Sequence, residues 1–293
     1  MRRSSHLAPA AMPYLFLLPA FLLLTLVLYV PIGQTILNAF YELDRYGNKT
    51  GWAGLANFRS TFEDTDFRFA FKNTVVWTAA VVILTLFISF VAALFLHRQF
   101  AGRRIARAIL VLPWASSLVI SALVWRYILD GELGPFNALL GKLHLISEPV
   151  YWLATRTTSF PAMIGVAVFV SIPFTTTVLL AGLQAIPNEL LEAARVDGAS
   201  PMRVLRSVTL PHLSDVLAIA TIINVIHVFN SFPIVWTMTH GDPAGTTDIV
   251  MTHLYKKAFT DQQFAVASAE SVIVFAALLA FSIIYTMRMR KQD

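Results

Sequence analysis

The chain has 293 residues, of which 57% are hydrophobic and 13% charged, with a mean hydropathy of +0.66 and no cysteine. Soluble domains carry about 25% charged residues, so this chain lacks the polar surface to face water on all sides, and a lipid-facing surface is expected. Its net charge of +5 forms no basic stripe, because Lys and Arg sit in short groups between apolar runs; nucleic acid is not an expected partner, and the missing cysteines exclude disulfides, thiolate metal sites and a cysteine nucleophile.

A membrane-spanning helix needs about 20 mostly apolar residues. The first such run is 14–40. Arg2 and Arg3 precede it as they would a signal peptide, but the run exceeds the ~7–15-residue apolar core of such a peptide, and YELDRYG follows it in place of a small-residue cleavage pattern. A retained helix is expected. The second run is 73–96. It leads into HRQFAGRRIAR, which holds Arg98, Arg103, Arg104 and Arg107 and no acid. The third run is 108–129, with Arg126 between Trp125 and Tyr127 as an interfacial anchor. The fourth, 160–184, contains Pro173, which is expected to break or kink the helix and free backbone groups. The fifth is 213–236 and the sixth 269–287. With the N-terminus inside, Lys and Arg are more than twice as dense in the inner segments as in the outer ones, which places both termini on the cytoplasmic side. No linker or tandem repeat interrupts the chain, so residues 1–293 are expected to form one transmembrane domain, all-α, with six spans.

The apolar runs are almost free of charge. Glu270 and Asp215 lie near span ends, within reach of water, and His227 is the one deep titratable group. Ion-coupled carriers keep costly buried charges where they work, so either the protein is passive or its energy arrives from elsewhere. No G-x-x-x-x-G-K-[ST], H-E-x-x-H or G-x-S-x-G occurs. His240 and His253, near Asp242 and Asp248, lack a ligand-like spacing and read as a solvated loop. No metal or cofactor is expected on this chain itself.

The connection between the fourth and fifth runs, 185–211, contains NELLEAARVDGASPMRVLRSVTLP. Asn188 is an expected N-cap, with Glu189 in the first turn where the helix dipole favours an acid. Leu190, Leu191 and Ala194 share a face. Asp197-Gly198 is a stop signal and Ser200-Pro201 a restart. Met202, Leu205 and Val208 line one side of the second helix, and Pro211 is expected to mark a turn into the fifth span. The pattern predicts helix, tight turn, helix, with small residues at the bend. It suits either a knob for a partner's groove or an amphipathic hairpin on the membrane surface.

Glu192-Ala193-Ala194, then Gly198, then Val208-Thr209-Leu210-Pro211 resembles the EAA loop of membrane subunits of binding-protein-dependent ABC importers. YLFLLPAFLLL, WAGLANFR, VLPW, VWRYIL and TMTHGDPAGTTD resemble the carbohydrate-type branch, although Asp242 stands where that branch usually has a second glycine. The resemblance covers essentially the whole chain. It implies that Glu192, Ala193, Ala194, Asp197, Gly198, Ala199 and Arg203 belong to coupling helices seated on a cytoplasmic ATPase subunit. It implies as partners a second permease subunit, two ATPase subunits that bind ATP and Mg, and an extracytoplasmic solute-binding protein, in the bacterial inner membrane. The solute path it implies draws on Ser171, Phe174 and Thr175 in the fourth span and on Asn224, His227, Asn230 and Ser231 in the fifth. Helix–helix hydrogen bonding accounts for these polar groups equally well. The solute class is a sugar or a related polyol or glycerol phosphate. A passive channel and a membrane-embedded lipid-linked glycosyl transferase are the competing readings.

Overall fold

A computed structural model describes residues 8–289. In chain order these form α1 (Ala8–Leu24), a π-turn (Thr25–Tyr29), α2 (Val30–Asn38), β1 (Tyr41–Leu43), β2 (Lys49–Trp52), α3 (Ala56–Glu63), α4 (Thr65–His97), α5 (Arg103–Ala115), α6 (Leu118–Ile128), α7 (Pro135–Lys142), α8 (Arg156–Ala185), α9 (Asn188–Val196), α10 (Pro201–Val204), a π-turn (Leu205–Thr209), α11 (Leu210–Phe229), α12 (Phe232–Thr239), α13 (Val250–Tyr255), a π-turn (Lys256–Thr260) and α14 (Phe264–Met289). Among the described residues, five helices are long and apolar enough to cross a membrane; α5 and α6 make a sixth span if that pair, bent by 98°, is taken as one.

Four expectations about the spans change. The third span is not one helix, because Ser116 and Ser117 are extended between α5 and α6. The fifth span ends at Phe229, and residues 232–239 form the separate α12. Pro211 marks no turn: the helix runs without interruption from Pro201 to Phe229. A proline inside a helix clashes with the carbonyl four residues back and has no N–H to offer it. Here the preceding turn widens, so that the Leu210 N–H reaches back to the Leu205 carbonyl. The same device precedes Pro31, where Val30 bonds to Thr25. Pro173 likewise leaves α8 unbroken.

The contacts divide the chain into two compact units. One holds the described residues up to Asp64 together with Leu254–Ala276. Its first helix is apolar all round and exposed over Phe16–Asn38, the character of a surface meant for lipid or another helix. The strands β1 and β2 pair antiparallel, and the Asp44 carboxylate closes their turn by accepting the N–H groups of Tyr46 and Asn48 (2.8 Å each). Trp52 stacks on Phe40 and meets Tyr41 edge-on. Lys257 donates to Asp64 (3.0 Å). Burial opposes the charge on Lys257, but the hydrogen bond and the charges of Asp64, Asp261 and Glu270 outweigh it and raise the ammonium's pKa above the usual 10.5. Glu270 has no exposed surface. It therefore does not reach water as its place near a span end suggested.

The other unit, Thr65–His253 with 277–289, is built on the pairing of α4 with α8 and with α11. Trp77, Met163, Val166 and Val235 are fully or almost fully buried in one cluster, and Leu179, Leu183, Leu213 and Ala220 in a second. Gly182 lets α8 and α11 close together: a Cβ there would meet Leu213 and Val216 at 3.0 Å. The segment before α13 is tied down, not a solvated loop. Asn73 donates to the carbonyls of Thr246 and Asp248 (3.1 and 2.9 Å) and accepts from Arg156 (3.0 Å). His253 is buried edge-on against Phe67.

Candidate functional site: a capped hairpin and an interhelical cavity

The 188–211 segment folds as helix, turn, helix. Helix α9 starts at Asn188, but the capping position is Pro187, whose extended backbone turns the chain out of α8. Asn188 is thus the first helical residue and not the N-cap. Its C-terminus closes as a Schellman motif: Gly198 N–H bonds to the Arg195 carbonyl and Ala199 N–H to the Ala194 carbonyl, both at 3.0 Å. Gly198 supplies the required left-handed conformation at φ +74°. Ser200 then caps α10, accepting the Arg203 N–H at 3.4 Å, with Pro201 in the first turn. Glu192, Ala193, Asp197, Gly198 and Arg203 are exposed, while Ala194 and Ala199 are half-buried. Leu191 packs inward against the second core cluster, and Leu190 does not. At the bend Val196 is 86% and Met202 56% exposed. The result is a rigidly capped knob, seated on the core through Leu191, with Val196 exposed at its bend.

The second feature is a cavity of about 250 Å³ lined by residues of α5, α6, α8 and α11. It brings together four of the seven residues expected on the solute path: Ser171, Phe174, Asn224 and His227. Thr175 is not on its wall. It lies behind it, buried, accepting from Asn224 Nδ2 at 3.0 Å. Asn224 gives its second proton to the Ala220 carbonyl (2.8 Å), so both amide donors are spent on helix–helix and local bonds and only acceptor capacity remains. Ser171 donates to the Ala167 carbonyl (2.7 Å) and can still accept. Asn230 and Ser231 are not brought to the cavity: Asn230 donates to the Ile226 carbonyl at the end of α11, and Ser231 sits at the N-cap position of α12 without a side-chain capping bond.

Trp114 and Ser116 complete the wall, and sequence reasoning did not single them out for it. The signal was Pro113 followed by Ser-Ser inside an apolar run. Ser116 donates to the Pro113 carbonyl (2.9 Å) and pairs with the Ser121 hydroxyl (2.7 Å). Irregular backbone at membrane depth is tolerated where it is protein-covered or lines a cavity, and this break does the latter. The Trp114 and Phe174 rings lie near-parallel, with centroids 6.3 Å apart and planes at 26°. No Lys, Arg, Asp or Glu lines the cavity. Aromatic faces and neutral hydrogen-bonding groups are what remain. Among the described residues, no group of three or more His, Asp or Glu is placed to hold a metal.

A family model described as "Binding-protein-dependent transport system inner membrane component" matches residues 85–291. A probable ABC transporter permease protein of Brucella abortus biovar 1 (strain 9-941) is 44% identical over 274 residues, covering 94% of this chain and 95% of that protein. The trehalose/maltose transport system permease protein MalF of Thermococcus litoralis is 32% identical over 276 residues, covering 94% and 92%. Among solved structures, a bacterial ABC transporter involved in import of the acidic polysaccharide alginate has a chain that superposes with a TM-score of 0.84 over 95% of both chains, at 24% identity.

Proposed function

The chain belongs to the binding-protein-dependent transport system inner membrane components, and from its cavity we propose that the solute it passes as a permease subunit of an ABC importer is a neutral sugar. It is a transport subunit and not the ATPase. The observation that carries the solute class is the uncharged cavity beside the stacked Trp114 and Phe174. A phosphate or carboxylate solute calls for Arg or Lys in a water-poor site, whereas a neutral sugar needs an aromatic face and hydroxyl or amide partners. The relative named for trehalose and maltose supports the same class. Ser171, Phe174, Asn224 and His227 touch the solute in this reading, with Trp114 and Ser116. Thr175 positions Asn224.

The hairpin's place in this reading is on the cytoplasmic side, where the excess of Arg and Lys puts it together with both termini. Glu192, Ala193, Ala194, Asp197, Gly198, Ala199 and Arg203 seat in a cleft of an ATPase subunit, which binds ATP and Mg. A second permease subunit, a second ATPase and an extracytoplasmic solute-binding protein complete the importer. The test is competition for uptake in vesicles containing the assembled importer. Neutral disaccharides compete and glycerol phosphate does not; the reverse order rejects the neutral-sugar assignment.

A further inference from the structure

Beneath the hairpin lies a second cavity, of about 540 Å³, that solute passage leaves without a role. Its walls come from the ends of α4 and α8 and from both arms of the hairpin. His97 and Arg98 face it from one side and Arg195 from the hairpin, with Leu94, Leu191 and Met202 between them. No acidic side chain lines it. Among the described residues neither Arg98 nor Arg195 has an ion-pair partner. The Nδ1 of His97 is buried with no hydrogen-bond partner. Arg103 and Arg107 add further positive charge within electrostatic reach of His97.

Two exposed arginines lining one partly apolar cavity with no acid among its walls form an incomplete constellation. Like charges repel, and no side chain of the lining neutralises them. What completes it carries negative charge at one end and apolar surface at the other. We infer that this cavity holds the headgroup of an anionic phospholipid, its phosphate between Arg98 and Arg195 and its glycerol and upper chains along Leu94, Leu191 and Met202. The depth agrees, since the cavity sits where two spanning helices end on the arginine-rich face, and basic pockets between spanning helices at that face suit anionic headgroups. Because Arg195 and Met202 belong to the hairpin, the bound lipid braces the knob from behind.

The test counts retained phosphatidylglycerol by native mass spectrometry on the importer purified from nanodiscs of phosphatidylcholine with and without phosphatidylglycerol. Wild type retains the anionic lipid. R98Q/R195Q lowers its affinity about 30-fold, at roughly fivefold per basic residue. R98K/R195K keeps the charge and the lipid, which separates loss of charge from loss of fold. R104Q/R288Q removes two exposed charges outside this cavity and leaves retention unchanged. Equal loss in R104Q/R288Q, or in the lysine pair, overturns the site. Displacement of the lipid by inorganic phosphate also overturns it, by assigning the cavity to a free anion.

Discussion

Thr175 of the fourth span and Asn224 of the fifth hold each other inside the protein: Asn224 Nδ2 donates to Thr175 Oγ1 at 3.0 Å, and the same hydroxyl lies 3.3 Å from Asn224 Oδ1. Asn224 stands on the wall of the 250 Å³ cavity and Thr175 directly behind it, so the bond fixes which edge of the amide a solute meets.

A double-mutant cycle measures this bond. Thr175→Val and Asn224→Leu each destabilise the protein in micelles, and the pair shows a coupling of about 0.6–1.7 kcal/mol. Strictly additive losses would remove the bond from the account of the cavity.

Gly198→Asp separates folding from coupling. A side chain there has open space around it, so the cost to this chain is that of a non-glycine residue in the left-handed region, about 1–2 kcal/mol. The variant inserts and assembles, but ATP hydrolysed per solute imported rises steeply. An unchanged ratio takes the hairpin out of the coupling role.

Trp114→Ala tests the cavity. The side chain is 58% exposed in this chain, so its loss leaves expression intact. The half-saturation concentration for uptake rises about 2- to 10-fold, the worth of one aromatic contact. Phe174→Ala behaves alike, and the double variant loses less than the product of the two, because either ring alone forfeits the stacked pair. Unaltered uptake in both single variants would mean that the solute passes elsewhere.

The Lys257–Asp64 pair sets an alkaline limit. The folded-state pKa of Lys257 lies above 10.5, so its contribution is complete below the unfolded value and is lost as pH rises through the folded one. Thermal unfolding of wild type and Lys257→Met should therefore differ by a constant amount at neutral and mildly alkaline pH, and the two should converge above the raised pKa. A gap that persists at high pH would assign the effect to packing of the lysine stem.

Length and hydropathy marked roughly where the apolar runs lie, but not which of them are single helices: five are, among the described residues, and the third run is the bent pair α5–α6. The short-range code of the hairpin was equally readable, because Gly198, Ser200 and Pro201 act through bonds to residues three to five positions away, which sequence order fixes. Only the tertiary structure decided what those helices do to one another. An apolar run reports its length, not whether Pro113 and two serines will break it, since breaking depends on whether hydroxyls and a neighbouring wall can take up the freed backbone. The same holds for Pro173 and Pro211, which looked like interruptions and lie within continuous helices. Glu270 and His253 read as near water and are buried, and His227, read as a packing group or a path residue, stands on a cavity wall. Burial belongs to contacts between residues far apart in the chain, and no local pattern carries it.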